Sequence, residues 1–442
     1  MLNICIISST LFAISALLLE KNVFNPITIF CGLWAIIVFL SSLNLYTLNI
    51  ASDETYSWIL TGVISFTIGY CVYKVGKTTF KIKDSSNLNL IQMKQKNKKI
   101  RYHLLYSLSI LCIIYIFYSM IKLGISVTSI VTGLQAIGDT ISRQNGVDSS
   151  GLINAISFLI INPLFLSLTV FEAIDYWFGN RDKKLLFFII VMTVGRIFIS
   201  GGRQALIQFI VVMVICASFN INESKTKHIF SITKKSLINK LGRILVLAIG
   251  IGVFLLLTMS KTTAVLKTIY LDFAMQPVML QTWTGQLYSQ HAYGFASLFG
   301  FVHPFVYIGK NLLQLFSNMP IFFSDIYSNI QNTFLDWVSI GTNLQANAYT
   351  SIFWYLYYDG RIYGIILGMF LLGYLSAKLY IKAMLTRNVK AIANYLIIAL
   401  TLIYSFTDME FYKASFILGW LYLNLLLLRT ERSMEWGPQR KQ

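Results

Sequence analysis

Uninterrupted apolar runs near twenty residues long recur along almost the whole 442-residue chain. They lie at about 4–19, 27–48, 57–75, 103–123, 152–176, 185–200, 204–220, 244–260, 361–381, 391–407 and 411–428. At 1.5 Å per residue, a helix of about 20 residues crosses the ~30 Å hydrocarbon core of a bilayer. A helix also satisfies its own backbone groups, which lipid cannot do. The runs therefore predict an all-α polytopic integral membrane protein of about eleven transmembrane helices. Composition agrees: 56% of residues are apolar and 12% are charged, against about 25% charged in soluble domains. A water-soluble enzyme and a disordered chain are both excluded. With only six prolines and no Gly/Ser tract to act as a linker, residues 1–442 read as a single membrane domain.

The net charge of +18 would suit a nucleic-acid binder, but its placement points to topology. The connections 76–102, 178–184, 221–243 and 382–390, the C-terminal tail, Lys21 and the helix ends on that side hold 27 of the 36 Lys and Arg. The opposite face holds 9 basic against 10 acidic residues. The positive-inside rule puts the basic face in the cytoplasm, with the N-terminus outside and the C-terminus cytoplasmic. No nucleic-acid partner is implied. Lys21 follows the first run and no basic residue precedes it, so that run reads as a retained helix rather than a secretory signal. All five cysteines (Cys5, Cys31, Cys71, Cys112, Cys216) fall inside predicted spans, which offers neither a disulfide framework nor zinc-ligand spacing.

The largest departure from lipid-helix composition is the outer connection 261–360. Between residues 272 and 345 it carries only Asp272, Lys310, Asp325 and Asp336 as charged groups, and it is aromatic and amide-rich, as in QPVMLQTWTGQLYSQHAYGFASLFGFVHPFVYIGK. A solvated loop is not built this way. Amphipathic or re-entrant helices on the membrane surface, roofing a cavity, are. A twelfth span at 295–316 is the alternative, but it would place the basic loop 382–390 and the tail outside, against the charge bias.

A second departure is a set of arginines near outer helix ends. GRIFISGGRQAL sets Arg196 and Arg203 seven residues apart, about two helical turns, with Gly201 and Gly202 permitting a break between spans. A cation at mid-bilayer costs about 3 kcal/mol and calls for a partner or a ligand. Two readings stand. Arg196 pairs with an acid such as Asp408 while Arg203 snorkels to headgroups, or the two clamp a phosphate, which guanidinium forks match bidentately. Arg143, in DTISRQNG, is the best further cation for such a clamp, ahead of Lys261, Lys267 and Arg361.

A third feature is TNLQANAYTSIFWYLYYDGRIYGIILGMFLLGYL. Its amides and hydroxyls, Asn347 and Thr350 among them, suit sugar hydroxyls, and its ring faces suit the sugar's C–H surface. Asp359 marks the entrance of the ninth helix, where it also reads as an ordinary helix cap. Candidate acid–base groups on the outer side are Asp408, Glu410, Asp359, Asp336, Asp325, His291 and His303. A lone histidine among aromatics reads equally as hydrogen-bonded structure, and carboxylates on a short turn read equally as solvated. The chain has no Walker loop, no strand-linked GxGxxG, no HExxH and no metal-ligand cluster. With no cytoplasmic soluble domain either, an ATP-driven pump and a cytoplasmic nucleotide-sugar enzyme are both disfavoured.

In this layout the chain resembles the Wzy-type oligosaccharide repeat-unit polymerases of bacterial O-antigen and capsule synthesis. The resemblance rests on SGGRQAL at 200–206, the long outer loop, and an N–x–x–T…Y–x–D–G–x–x–x–G pattern at Asn347, Thr350, Tyr358, Asp359, Gly360 and Gly364. The layout covers nearly the whole chain and these residues about a tenth of it. The related O-antigen ligases typically carry His-Asn where this chain has Thr342-Asn343, which favours polymerase over ligase. The resemblance implies a GT-C-type glycosyltransferase of the bacterial cytoplasmic membrane, working on its outer face. It would join undecaprenyl-diphosphate-linked repeat units and release undecaprenyl diphosphate. No cofactor or metal is implied, because the diphosphate-linked sugar is already activated. Membrane lipid and a separate chain-length regulator are the implied partners. Arg143, Arg196 and Arg203 would hold the diphosphate, and Asn347, Thr350 and Asp359 the glycan. His303, Asp408 and Glu410 are candidates for the base. The rival from another class is a lipid-linked oligosaccharide flippase or other secondary transporter, which the concentration of polar residues on one face disfavours.

Overall fold

The computed structural model describes residues 1–84, 102–122, 152–200, 204–227, 265–311, 313–315, 319–386 and 388–432. In chain order the helices are α1 (Leu2–Glu20), α2 (Pro26–Ser42), α3 (Asp53–Asp84), α4 (Tyr102–Lys122), α5 (Leu152–Ile156), α6 (Asn162–Phe178), α7 (Lys183–Ser200) and α8 (Gln204–Lys227). There follow α9 (Val265–Ala274), α10 (Gln276–Gly285), α11 (Phe299–Asn311) and α12 (Ile321–Leu335). A hairpin of β1 (Val338–Gly341) and β2 (Leu344–Ala346) precedes α13 (Ser351–Thr386), α14 (Val389–Tyr404) and α15 (Ala414–Arg432). Every predicted span coincides with a helix except 244–260, which lies outside the described residues. Among the described residues five helices are long and apolar enough to cross a membrane: Leu2–Glu20, Asp53–Lys77, Tyr102–Lys122, Ile153–Phe178 and Ser351–Thr386. The chain is an all-α membrane protein. The span expected at 27–48 stops at Ser42, and Leu45–Thr47 forms a separate 3₁₀ turn. The chain divides into two compact units, Met1–Ile100 with Ile269–Gln442, and Arg101–Thr268.

In the first unit, α1 and α3 run parallel with α2 returning between them. The Met1 ammonium meets Asp53 at 3.3 Å at one end, and Lys74 and Tyr70 both reach Glu20 at the other. Asn25 caps α2 through the Thr28 amide, with Pro26 in the first turn, where its missing N–H costs nothing. Trp34 of α2 donates to Ser405 Oγ at 3.1 Å beyond the end of α14, so these two helices also run together. The tightest contact joins α3 to α13. A methyl at Gly69 would sit 2.1 Å from the Phe370 carbonyl oxygen, and one at Gly373 would sit 2.1 Å from that of Phe66. Such reciprocal approach through small residues is how helices associate in lipid, where no hydrophobic force drives them together.

Residues 269–311 and 319–346 carry helices and a hairpin tied to the Ser42/Asp53 end of the bundle. Tyr270 bridges the Leu45 amide and the Leu40 carbonyl, Gln281 accepts from the Ser52 amide, and the hairpin bonds to Thr47 and Asn49.

The second unit is built on α4–α8. Ser157–Ile161 is a π-turn that joins α5 to α6 just ahead of Pro163, whose ring cannot supply the amide of a regular turn. Asp175 closes the 178–184 connection by accepting from Tyr102 Oη (2.8 Å) and the amides of Asn180 (3.2 Å) and Asp182 (3.0 Å).

Candidate functional site

The polar features of the first unit converge on the turn between α14 and α15. This turn, 405–413, carries Asp408, Glu410 and Lys413 in TDMEFYK. Lys413 Nζ lies 2.8 Å from Asp408 Oδ2 and 2.9 Å from Glu410 Oε1. Glu410 opens a 3₁₀ turn, so Lys413 three residues on falls on the same side. Both carboxylates are buried, not solvated as short-turn carboxylates usually are, and Asp408 Oδ1 is left without a hydrogen-bond partner. Burial raises the Glu410 carboxyl to about 7, with Lys413 opposing the shift and Asp408 adding to it. Burial pulls the Lys413 ammonium down, but the two carboxylates outweigh it and hold the group above its ordinary range. The cluster thus has one cation for two acids, and one of those acids titrates near neutrality.

Three elements enclose this turn. Helix α11 lies directly on it: a methyl at Gly300 would come 2.6 Å from the Phe411 carbonyl oxygen and 2.7 Å from that of Lys413. His303, one turn further along α11, is half-buried beside the rings of Phe299 (5.0 Å) and Tyr327 (5.4 Å). Burial lowers its imidazole to about 4, so it is neutral at pH 7. Helix α12 contributes Phe334, stacked on Tyr412 at 6.0 Å, and Tyr412 stacks in turn on Tyr355 of α13 at 5.0 Å.

The third element is the first part of α13. The sequence placed this helix at 361–381, but it begins at Ser351 and breaks at Gly360–Arg361, where Arg361 takes φ 55° and ψ −139°. The chain folds back there. A methyl at Gly364 would lie 2.1 Å from the Leu356 carbonyl oxygen, eight residues earlier. Segment 351–359 therefore lies within the bundle beside segment 362–386, and Phe353 reaches the rings of Phe30 and Trp34 halfway along α2. Its start is bound to the charged turn, Ser351 N donating to Thr407 O (3.2 Å) and Ile352 N to Ser405 O (2.7 Å).

The amide and hydroxyl motif builds this fold-back. Asn347 Nδ2 donates to Phe334 O at 2.7 Å, tying the approach strand to α12. Thr350 is fully buried at the start of the segment. Asp359, half of the expected helix entrance, accepts from the amides of Ala296 (2.8 Å) and Ser297 (3.0 Å) with its two carboxylate oxygens. Tyr358 O and Asp359 O accept from Ala292 N and Tyr293 N at 2.9 and 3.1 Å. Arg361 donates to the carbonyls of Tyr288 and Gln290.

Of the three expected diphosphate arginines, only Arg196 falls among the described residues. Arg143 and Arg203 lie outside the described residues. Arg196, in the second unit, donates to Gln208 Oε1 at 3.3 Å and stands 4.8 Å from the centre of the Phe165 ring. Asp408, the acid suggested for Arg196, has Lys413 as its ion-pair partner. Lys413 escaped the sequence reading because one lysine next to a short acidic turn looks like a solvated interfacial charge. Its i, i+3 spacing from Glu410 was the available signal. Among the described residues no group of three or more His, Cys, Asp or Glu is arranged to hold a metal ion.

No protein-family model, curated protein or solved structure matches the chain.

Proposed function

We propose that this protein is a membrane glycosyltransferase that polymerises undecaprenyl-diphosphate-linked oligosaccharide repeat units at the outer face of the bacterial cytoplasmic membrane. The observation that carries the reading is the charged turn Asp408–Glu410–Lys413, enclosed by outer-loop helices and by a helix folded back into the bundle. An aqueous-face transferase using lipid-borne substrates needs such a covered, polar interior next to lipid. In this reading the chain crosses the membrane eleven times in a GT-C-like arrangement, with the basic connections in the cytoplasm.

The chemistry follows from the donor. The acceptor hydroxyl attacks the anomeric carbon, the bond from that carbon to the diphosphate oxygen breaks, and its electron pair leaves with undecaprenyl diphosphate. The hydroxyl proton passes to a base, for which Glu410 is the best placed candidate. A carboxyl near pKa 7 is largely ionised just above neutrality and still basic enough to accept a proton. Lys413 fixes one Glu410 oxygen, and Asp408 holds Lys413. The leaving diphosphate needs cations at the lipid–water boundary. Asn347 and Asp359 act by shaping the fold-back, and Thr350 lies at its buried start.

A second reading, a lipid-linked oligosaccharide transporter, is favoured by the broken α13, since discontinuous helices line many transporter sites. One experiment separates the two. Purified protein is given a synthetic undecaprenyl-diphosphate repeat unit without nucleotide and with chelator present. A ladder of lengthening lipid-linked glycans is expected, and Glu410→Gln is expected to reduce its rate by about 10²-fold or more with folding intact. Translocation of the same substrate into sealed vesicles without any ladder would replace the polymerase reading by the transporter.

A further inference from the structure

The segment joining α10 to α11 is held far more firmly than a surface loop requires. Between Tyr288 and Ser297 it receives the two Asp359 carboxylate bonds, the two backbone bonds from Ala292 and Tyr293, and the Arg361 guanidinium on two of its carbonyls. Asn329 of α12 adds a bond to Gln290 Oε1 (2.6 Å) and another to Tyr358 Oη (2.7 Å). What this clamp presents to the outside is aromatic. Tyr288 is 85% exposed and Tyr293 75% exposed, and His291 lies 5.9 Å from the Tyr293 ring at an interplanar angle of 36°.

Neither tyrosine supports the core, and both sit in the left-handed backbone region, φ 43° at Tyr288 and 52° at Tyr293. That conformation is strained for a residue with a Cβ. Two large rings are thus kept exposed, on strained backbone, by the bonds that hold the segment, of which the two to Asp359 are buried. Residues 286–297 contain no Asp, Glu, Lys or Arg. The Arg361 guanidinium beside this segment is taken up by the Tyr288 and Gln290 carbonyls, so the exposed rings suit a ligand with an uncharged, C–H-bearing face.

We propose that Tyr288 and Tyr293 form a carbohydrate-stacking platform that receives the pyranose rings of a glycan. His291 and the Gln290 amide, exposed beside the rings, bond its hydroxyls. Tyrosine suits the task because its ring supplies a large rigid face with few rotamers to freeze. The platform precedes α11, the helix that covers the charged turn, in the chain. This inference rests on the glycan-transferring reading above.

The test uses the full chain in lipid nanodiscs on a microarray of bacterial surface oligosaccharides. Wild type is expected to bind at least one class of glycan. The double variant Tyr288→Ala/Tyr293→Ala is expected to bind it about tenfold more weakly at an unchanged melting temperature, while Tyr288→Phe/Tyr293→Phe keeps wild-type binding. Equal binding by the alanine variant, or no binding by wild type, overturns the platform. So does quenching of Tyr293→Trp fluorescence, measured against wild type, by lipids brominated near the headgroup, because it would make the rings a membrane anchor. The polymerisation ladder separates this proposal from the reading beneath it. A ladder that the alanine variant extends as fast as wild type sinks the platform alone. Tyrosine-dependent glycan binding without any ladder upholds the platform and sinks the polymerase.

Discussion

Lys413→Met is expected to destabilise the protein by about 3–5 kcal/mol, the usual cost of removing one partner from a buried ionic group. Lys413 is the shared cation of Asp408 and Glu410, and its loss leaves two acids facing each other out of water. Thermal unfolding in detergent at pH 8 reads the effect. The cost comes from the stranded carboxylates, so adding Asp408→Asn and Glu410→Gln to Lys413→Met is expected to recover most of it. A single variant that melts with wild type would show that the turn is hydrated.

The same cluster sets a pH dependence. The Glu410 carboxyl is raised from 4.5 to about 7, chiefly by burial, so the native state keeps a proton that the unfolded chain has already lost. Stability therefore falls as pH rises between about 4.5 and about 7. Glu410→Gln is expected to flatten that part of the melting-temperature profile, and an unchanged profile would locate the titration elsewhere.

Gly364→Val is expected to be comparably severe, at about 3 kcal/mol or more, because its side chain must enter the space of the Leu356 carbonyl oxygen 2.1 Å away. Overpacking here opens the fold-back and draws 351–359 away from the charged turn, so activity should be lost even where some folded protein remains. Gly76→Val, at a position with no atom within 4 Å of a new methyl, is the control and should behave as wild type. If Gly364→Val melts with the control, segment 351–359 is not folded back as described. A ladder from a stable Gly364→Val protein would show that the fold-back is dispensable for activity.

The reach of the sequence is clearest at α13. Apolar length alone located the span 361–381, because a lipid-facing helix is written in consecutive residues. Segment 351–359 is just as apolar, and Asp359–Gly360–Arg361 looked like the entrance to a helix that starts there. Nothing local shows that the chain arrives at that entrance from inside the bundle. That outcome depends on Gly364 accepting a carbonyl against its Cα, and on Phe353 finding the rings of Phe30 and Trp34. Asp359 was likewise legible as a polar group at a turn, but not as the acceptor for amides some sixty residues earlier.

From the sequence alone come the membrane class, the positions of the described apolar helices, the uneven distribution of charge among the connections, and segment 261–360 as the polar exception. Each of these follows from local quantities, namely the length of an apolar run or the sign of a connecting segment, which a bilayer reads directly. The tertiary structure alone decided that Lys413 neutralises the carboxylates of its own turn, that α11 covers them, and that Tyr288 and Tyr293 stand outward on a clamped segment. Those outcomes depend on which distant residues share a water-excluded volume. Burial, which raises Glu410 and lowers His303, is a property of that volume and not of the residues around them in sequence.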